Sequence, residues 1–170
     1  MRSSIIKHTL SLVLCSFFLF TSCNTEQSDI STSDNSPTDT LMSGYDKELA
    51  SELGADDYGM KQYVIAFLKE GPNRDQDSTR AAELQRAHLE NIRRLADEGK
   101  LVLAGPFMDR DDVRGLFIFD VQTIEEAREL TETDPAIQAG RLAMELRPWY
   151  GSAALMRVNR IHGTISKTNP

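Results

Sequence analysis

The sequence predicts an α+β fold, in the order strand, helix, strand, strand, helix, strand. Three observations predict it. Four apolar or alternating runs, at residues 61–68, 101–107, 116–121 and 142–147, have the length and composition of strands. One long stretch, residues 78–98, repeats apolar side chains at helical spacing. Thr123, three residues before Glu126, makes a capping box that opens a second helix.

The chain has 170 residues, 40% hydrophobic and 26% charged, which suits one core rather than two. Its first 23 residues read as a targeting segment, not as part of the fold. Arg2 and Lys7 give a positive start, and residues 10–20 are mostly apolar but too short to span a bilayer. Thr21-Ser22-Cys23 resembles a bacterial lipoprotein lipobox, although Phe20 stands where Leu, Val or Ile is usual. The expectation is lipidation at Cys23 and a lipid-anchored protein of the bacterial cell envelope. An ordinary secretory signal that happens to contain a cysteine is the alternative. The other cysteine, Cys15, lies within the removed segment, so no disulfide framework is expected.

Residues 24–44 read as a disordered tether. They are rich in Ser, Thr, Asp and Asn and nearly empty of apolar side chains before Leu41. A flexible coil of that length reaches about 25 Å. Residues 45–59 hold a short helix and a turn: Asp46 caps it, Leu49, Ala50 and Leu53 share a face, and Gly54 ends it. This helix is expected on the outside of the domain.

The domain proper is expected at residues 60–158. The first strand is dense in Tyr63, Val64, Ile65 and Phe67, and Gly71-Pro72 breaks it. The long helix is capped at Asp77 or Ser78 and stopped by Gly99. Its inner stripe runs Ala81, Leu84, His88, Ile92, Leu95, which places His88 amid apolar side chains. Leu101 to Ala104 form the second strand, and Gly105-Pro106 end or bend it. A short charged loop, residues 109–112, makes the next strand antiparallel. The second helix turns Ile124, Ala127 and Leu130 inward. Asp134 then caps a new turn with Pro135 in the first helical position and Gly140 at the close. Residues 142–147 alternate as a strand with one wet face, ended by Pro148-Trp149-Tyr150-Gly151. Residues 152–162 look weakly helical, and residues 159–170 form a frayed tail.

This order is the ferredoxin-like β-α-β-β-α-β arrangement. With both helices on one face, the other face of the sheet is bare. The expected partner for it is a second copy of the chain, in a homodimer.

Five short motifs in register resemble the YCII-related (YciI-like) domain family of the dimeric α+β barrel group. They are Arg86-Ala87-His88-Leu89, the stretch Gly99 to Pro106, Glu125-Glu126-Ala127, Thr133-Asp134-Pro135 with Ala139-Gly140, and Arg147-Pro148-Trp149-Tyr150. The resemblance covers Met60 to about Leu155. It implies a ferredoxin-like fold, a dimer and a His–Asp pair in a small-molecule pocket, here His88 and Asp134. Related barrels carry out lactone isomerisation, dehydrohalogenation and oxygenation of small ring compounds. The implied function is acid/base chemistry on a small cyclic or carbonyl compound. A non-catalytic ligand-binding or dimerisation module of the same fold is the alternative.

The residues themselves allow both readings. An imidazole on an apolar face suits acid/base work near neutral pH. A histidine in a helix stripe is also ordinarily a core residue, and an aspartate before proline is ordinarily a cap. Gly105 would let a ligand approach the backbone, and Arg86 and Asp109 are lesser candidates for the mouth. Nucleic acid is a poor partner for a chain of net charge −7. Without Arg2 and Lys7 the basic residues fall from 19 to 17 against 26 acidic, a net of −9, so membrane contact is expected through the lipid alone. No phosphate loop, dinucleotide fingerprint or metal-ligand spacing is present, so neither cofactor nor metal is called for.

Overall fold

The structure, a computed structural model, describes residues 44–109 and 111–168. The targeting segment, Cys23, the tether as far as residue 43, and Arg110 lie outside those residues. Within them the elements run α1 (Lys47–Leu53), β1 (Met60–Glu70), α2 (Ser78–Asp97), β2 (Leu101–Pro106), β3 (Val113–Phe119), α3 (Ile124–Thr131), α4 (Pro135–Gln138), β4 (Leu142–Ser152), a 3-10 turn (Ala153–Arg157) and α5 (Val158–Ile165).

The four strands form one antiparallel sheet in the order β2-β3-β1-β4. This is the ferredoxin-like arrangement. The apolar run in β1 has its explanation here, because β1 is an inner strand paired on both edges. Val64, Ala66 and Leu68 turn to one face and join Leu95 of α2, Ala127 of α3, and Phe117 and Phe119 of β3 in the main core. Burying each of the larger side chains contributes about 1.5–3 kcal/mol. Local signals agree with this packing. Asp77 accepts from the Arg80 N–H at the start of α2. Thr123 and Glu126 exchange both capping-box hydrogen bonds at α3.

Three expectations are corrected. β4 does not end before Pro148; it pairs with β1 as far as Ser152. Pro148 sits opposite Val64 on an edge strand, where a missing N–H costs no ladder bond. β3 starts at Val113 rather than Leu116, because Pro106 pairs with Gly115 and the hairpin closes later than the apolar run suggests. The second face of the sheet is not wholly bare. Leu155 and Met156 of the 3-10 turn pack on Tyr63, Val102 and Ile118 and cover one end of it. Ile65, Phe67, Leu103 and Leu116 remain half-buried on that face.

Helices α1 and α5 both adjoin the 3-10 turn at the covered end. Helix α1 carries no buried residue and lies outside the core. It touches the 3-10 turn, where Arg157 pairs with Glu52. Asn159 of α5 donates to the Leu101 carbonyl of edge strand β2, at 2.7 Å.

Candidate active site

His88 enters the interior because α2 is amphipathic. The side chains that α2 buries are Leu84, His88, Asn91 and Leu95, at steps of 4, 3 and 4. Opposite them runs the connection between α3 and α4. Its path is set by backbone bonds from the Thr133 and Asp134 N–H groups to the carbonyls of Leu130 and Thr131. Helix α4 is then held at its far end by glycines. Gly140 has φ +67°, and Gly71 lies so close that a Cβ on it would meet the Gly140 carbonyl oxygen at 2.1 Å. Only a bare backbone allows the exit of β1 and the entry of β4 to meet there.

His88 and Asp134 meet across this gap. The imidazole Nδ1–H donates to Asp134 Oδ2 at 2.5 Å. Asp134 is fully buried and His88 is 7% exposed. The other carboxylate oxygen, Oδ1, accepts the Ala136 N–H at 2.8 Å. Asp134 therefore caps α4 with one oxygen and holds the imidazole with the other. The two sequence readings of this residue are not exclusive.

The chemistry follows from donor and acceptor counting. A carboxylate only accepts, so the shared proton sits on Nδ1, and in the neutral imidazole the lone pair is then on Nε2. No described residue hydrogen-bonds to Nε2. The Phe117 ring stacks on the imidazole, with centroids 5.9 Å apart and planes at 19°, which fixes the ring plane. A histidine held in one tautomer with Nε2 unengaged can take a proton and return it.

Other expected neighbours do not join the pair. Arg86 lies on the outer side of α2 and pairs loosely with Glu90 at 3.9 Å. Asp109 belongs to the exposed β2–β3 loop. Gly105 is exposed, and a Cβ there would meet nothing within 4 Å, so space lies open above its backbone. Trp149 packs across Gly151 and beside Tyr63, with ring centroids 5.8 Å apart. Asn91 is the residue that sequence reasoning passed over. Its signal was its position: it continues the 84–88 stripe toward 95, but its polarity kept it out of an apolar count.

Two surface recesses lie where β1 ends and the β2–β3 loop turns. One, of about 220 Å³, is lined by Lys69, Glu70, Asp112 and Arg114. The second, of about 340 Å³, lies beside the β2–β3 loop and includes Phe107, Asp109 and Asp111. His88 lines neither. Arginines crowd the first: a hydrogen bond from Arg114, then the Arg114, Arg74 and Arg141 charges, holds the Glu70 carboxyl below its usual range. Glu145 is likewise lowered, by hydrogen bonds from Lys69 and Arg147. Burial, then the Asp120 charge, pushes the Tyr63 phenol up. Among the described residues no group of three or more His, Cys, Asp or Glu is placed to hold a metal ion. Among those same residues no helix is long and apolar enough to cross a membrane.

Comparison with known proteins bears on the same stretch. A family model described as "YCII-related domain" matches residues 62–150. The "Uncharacterized protein YjpA" of Bacillus subtilis (strain 168) is 31% identical over 62 residues, covering 36% of this chain and 71% of that protein. Among solved structures, a 5-chloro-2-hydroxyhydroquinone dehydrochlorinase (TftG) from Burkholderia phenoliruptrix AC1100, in complex with 2,5-dihydroxybenzoquinone, is 22% identical. That match covers 52% of this chain and 93% of the other, with a TM-score of 0.39.

Proposed function

The chain belongs to the YCII-related domain family, and from that premise we propose that it is a small-molecule pocket protein in which His88 moves a proton. Asp134 orients and supports the imidazole. The substrate class is a small cyclic or carbonyl compound with an acidic C–H or O–H. The observation that carries this reading is the buried 2.5 Å bond from His88 Nδ1 to Asp134 Oδ2, which leaves Nε2 as the lone-pair nitrogen. In the forward step Nε2 takes the substrate proton, and the Asp134 carboxylate stabilises the imidazolium that forms. In the return step the same nitrogen gives the proton back at another position or to a leaving group.

Two further parts complete the proposal. The half-buried apolar side chains on the open sheet face, Ile65, Phe67, Leu103 and Leu116, fit a second copy of the chain in a homodimer. The Thr21-Ser22-Cys23 ending fits lipidation at Cys23 and attachment to a membrane of the bacterial cell envelope.

Proton transfer can be tested before the overall reaction is known. The protein is incubated in D2O with a panel of small lactones, cyclic ketones and hydroxyquinones, and loss of C–H signal is followed by proton NMR. The expected result is catalysed exchange of at least one compound, slowed about 10²–10⁴-fold in His88→Gln. Exchange that persists unchanged in His88→Gln removes the role assigned to the histidine.

One observation favours a second reading, a non-catalytic ligand-binding module. His88 lines neither of the two recesses described and is itself 93% covered. Under that reading a panel compound binds, its NMR signals shift with protein concentration, and no exchange follows.

A further inference from the structure

Asn91 is a buried amide, 7% exposed, one turn along α2 from His88 and on the same face. A buried polar side chain persists where its hydrogen bonds are made. The Asn91 bonds lead straight to the catalytic connection. Its Oδ1 receives a bond from Arg94 Nη2 at 2.8 Å and lies 3.1 Å from Thr133 Oγ1. The same Arg94 nitrogen donates to Thr133 Oγ1 at 2.9 Å. A guanidinium NH2 has two protons, and both are used here, one on each oxygen. The Thr133 hydroxyl has one proton and two acceptors within reach, the Leu130 carbonyl at 2.7 Å and Asn91 Oδ1 at 3.1 Å. The other arm of Arg94 is held by Glu98 at 2.7 Å.

Thr133 is the residue immediately before Asp134. Consecutive residues of the α3–α4 connection therefore meet α2 at positions 88 and 91, which are about 4.5 Å apart along the helix axis. A single bond at Asp134 would leave the connection free to pivot about it. The second attachment removes that pivot and fixes the distance and angle at which the carboxylate meets the imidazole.

We propose that Asn91, Arg94 and Thr133 are positioning residues, a clasp that sets the geometry of the His88–Asp134 pair. This rests on the proton-transfer reading above. None of the three needs to touch a substrate. Their work is to keep Asp134 Oδ2 on Nδ1, so that Nε2 stays the lone-pair nitrogen.

The test uses the 15N-labelled full chain and reads the His88 Nδ1 proton, together with its rate of exchange with water. Thr133 is exposed, so its variants bear on the clasp with little risk to the core. In Thr133→Val exchange is expected to quicken roughly tenfold, the equivalent of about one ordinary hydrogen bond. Thr133→Ser keeps the hydroxyl and restores the slow rate. Asn91→Leu, similar in size, shifts the rate in the same direction as Thr133→Val. Should Asn91→Leu fail to fold, the Val and Ser pair at position 133 decides alone. If Thr133→Val exchanges at the wild-type rate while Asp134→Asn loses the signal, the clasp is overturned and the pair stands. If Asp134→Asn leaves the signal untouched, the pair itself is wrong and the clasp falls with it.

Discussion

Asp134→Asn separates the two jobs of one carboxylate. Asparagine caps a helix about as well as aspartate, so its Oδ1 can still accept the Ala136 N–H now at 2.8 Å. The second terminal atom then becomes an NH2, which donates where Oδ2 accepted from His88 Nδ1 at 2.5 Å. Nδ1 must turn acceptor, and the proton moves to Nε2. The variant thus keeps the cap, inverts the tautomer and removes the lone pair from the nitrogen that takes the substrate proton. A charge-assisted hydrogen bond is worth about 1.5–3 kcal/mol and a neutral one about 1 kcal/mol. The expected stability loss is the difference, about 0.5–2 kcal/mol. At about 4–8 °C per kcal/mol for a domain of about 100 residues, that lowers Tm by about 2–16 °C. Activity should fall far more, by about 10³–10⁴-fold, the scale seen when a catalytic histidine is held in the wrong tautomer. Asp134→Ala removes the cap as well and should cost about 1 kcal/mol more. The assays are thermal unfolding, C–H exchange in D2O and the two imidazole 15N shifts. The reasoning fails if Asp134→Asn unfolds within a degree of wild type with unchanged nitrogen shifts.

Four further outcomes are expected. Gly115→Ala should destabilise by about 1–3 kcal/mol, because its Cβ would sit 2.7 Å from the Gly105 carbonyl oxygen; Gly105→Ala, with nothing within 4 Å, should unfold at the wild-type temperature. Hydrogen bonds from the Gln122 N–H, at 2.9 Å, and the Thr123 N–H, at 3.1 Å, lower the Glu126 carboxyl below its ordinary value. Its contribution to stability is therefore complete above the unfolded value of about 4.3 and is lost as pH falls through the lower folded one. Glu126→Gln should flatten that acid limb in a plot of Tm against pH, and an unaltered limb would contradict the assignment. Light scattering at micromolar concentration should give the mass of a dimer, reduced to a monomer by Phe67→Glu; a monomeric wild type would remove the dimer. Metabolic labelling with a radiolabelled fatty acid should mark the wild type and not Cys23→Ser, and equal labelling would remove the anchor.

Much of the fold was legible because its signals are local. The caps at Asp46, Asp77, Thr123 and Asp134 all act where the sequence places them. Each depends on a side chain and an N–H two or three residues away. The end of β4 was illegible for the opposite reason. Whether Pro148 stops a strand depends on whether that strand is an edge, and edge position follows from the whole topology. The partial cover on the second sheet face was hidden likewise. Leu155 and Met156 look like an ordinary weak helix until the chain folds back over Tyr63. At the site, the apolar stripe foretold the burial of His88, and proline foretold the cap at Asp134. Their meeting could not be read across a separation of 46 residues, since it depends on how α4 is held by Gly71 and Gly140. Asn91 stayed unseen because a pattern built on hydrophobicity discards polar members of a buried face.

The most direct measurement is a crystal structure of the protein soaked with the small cyclic and carbonyl compounds that pass the exchange screen. The account predicts a ligand with an exchangeable C–H or O–H directed at His88 Nε2, within about 3 Å or one bridging water, and Nδ1 still bonded to Asp134. A ligand seated only between Lys69 and Arg114, with His88 Nε2 sealed from it, would contradict the account.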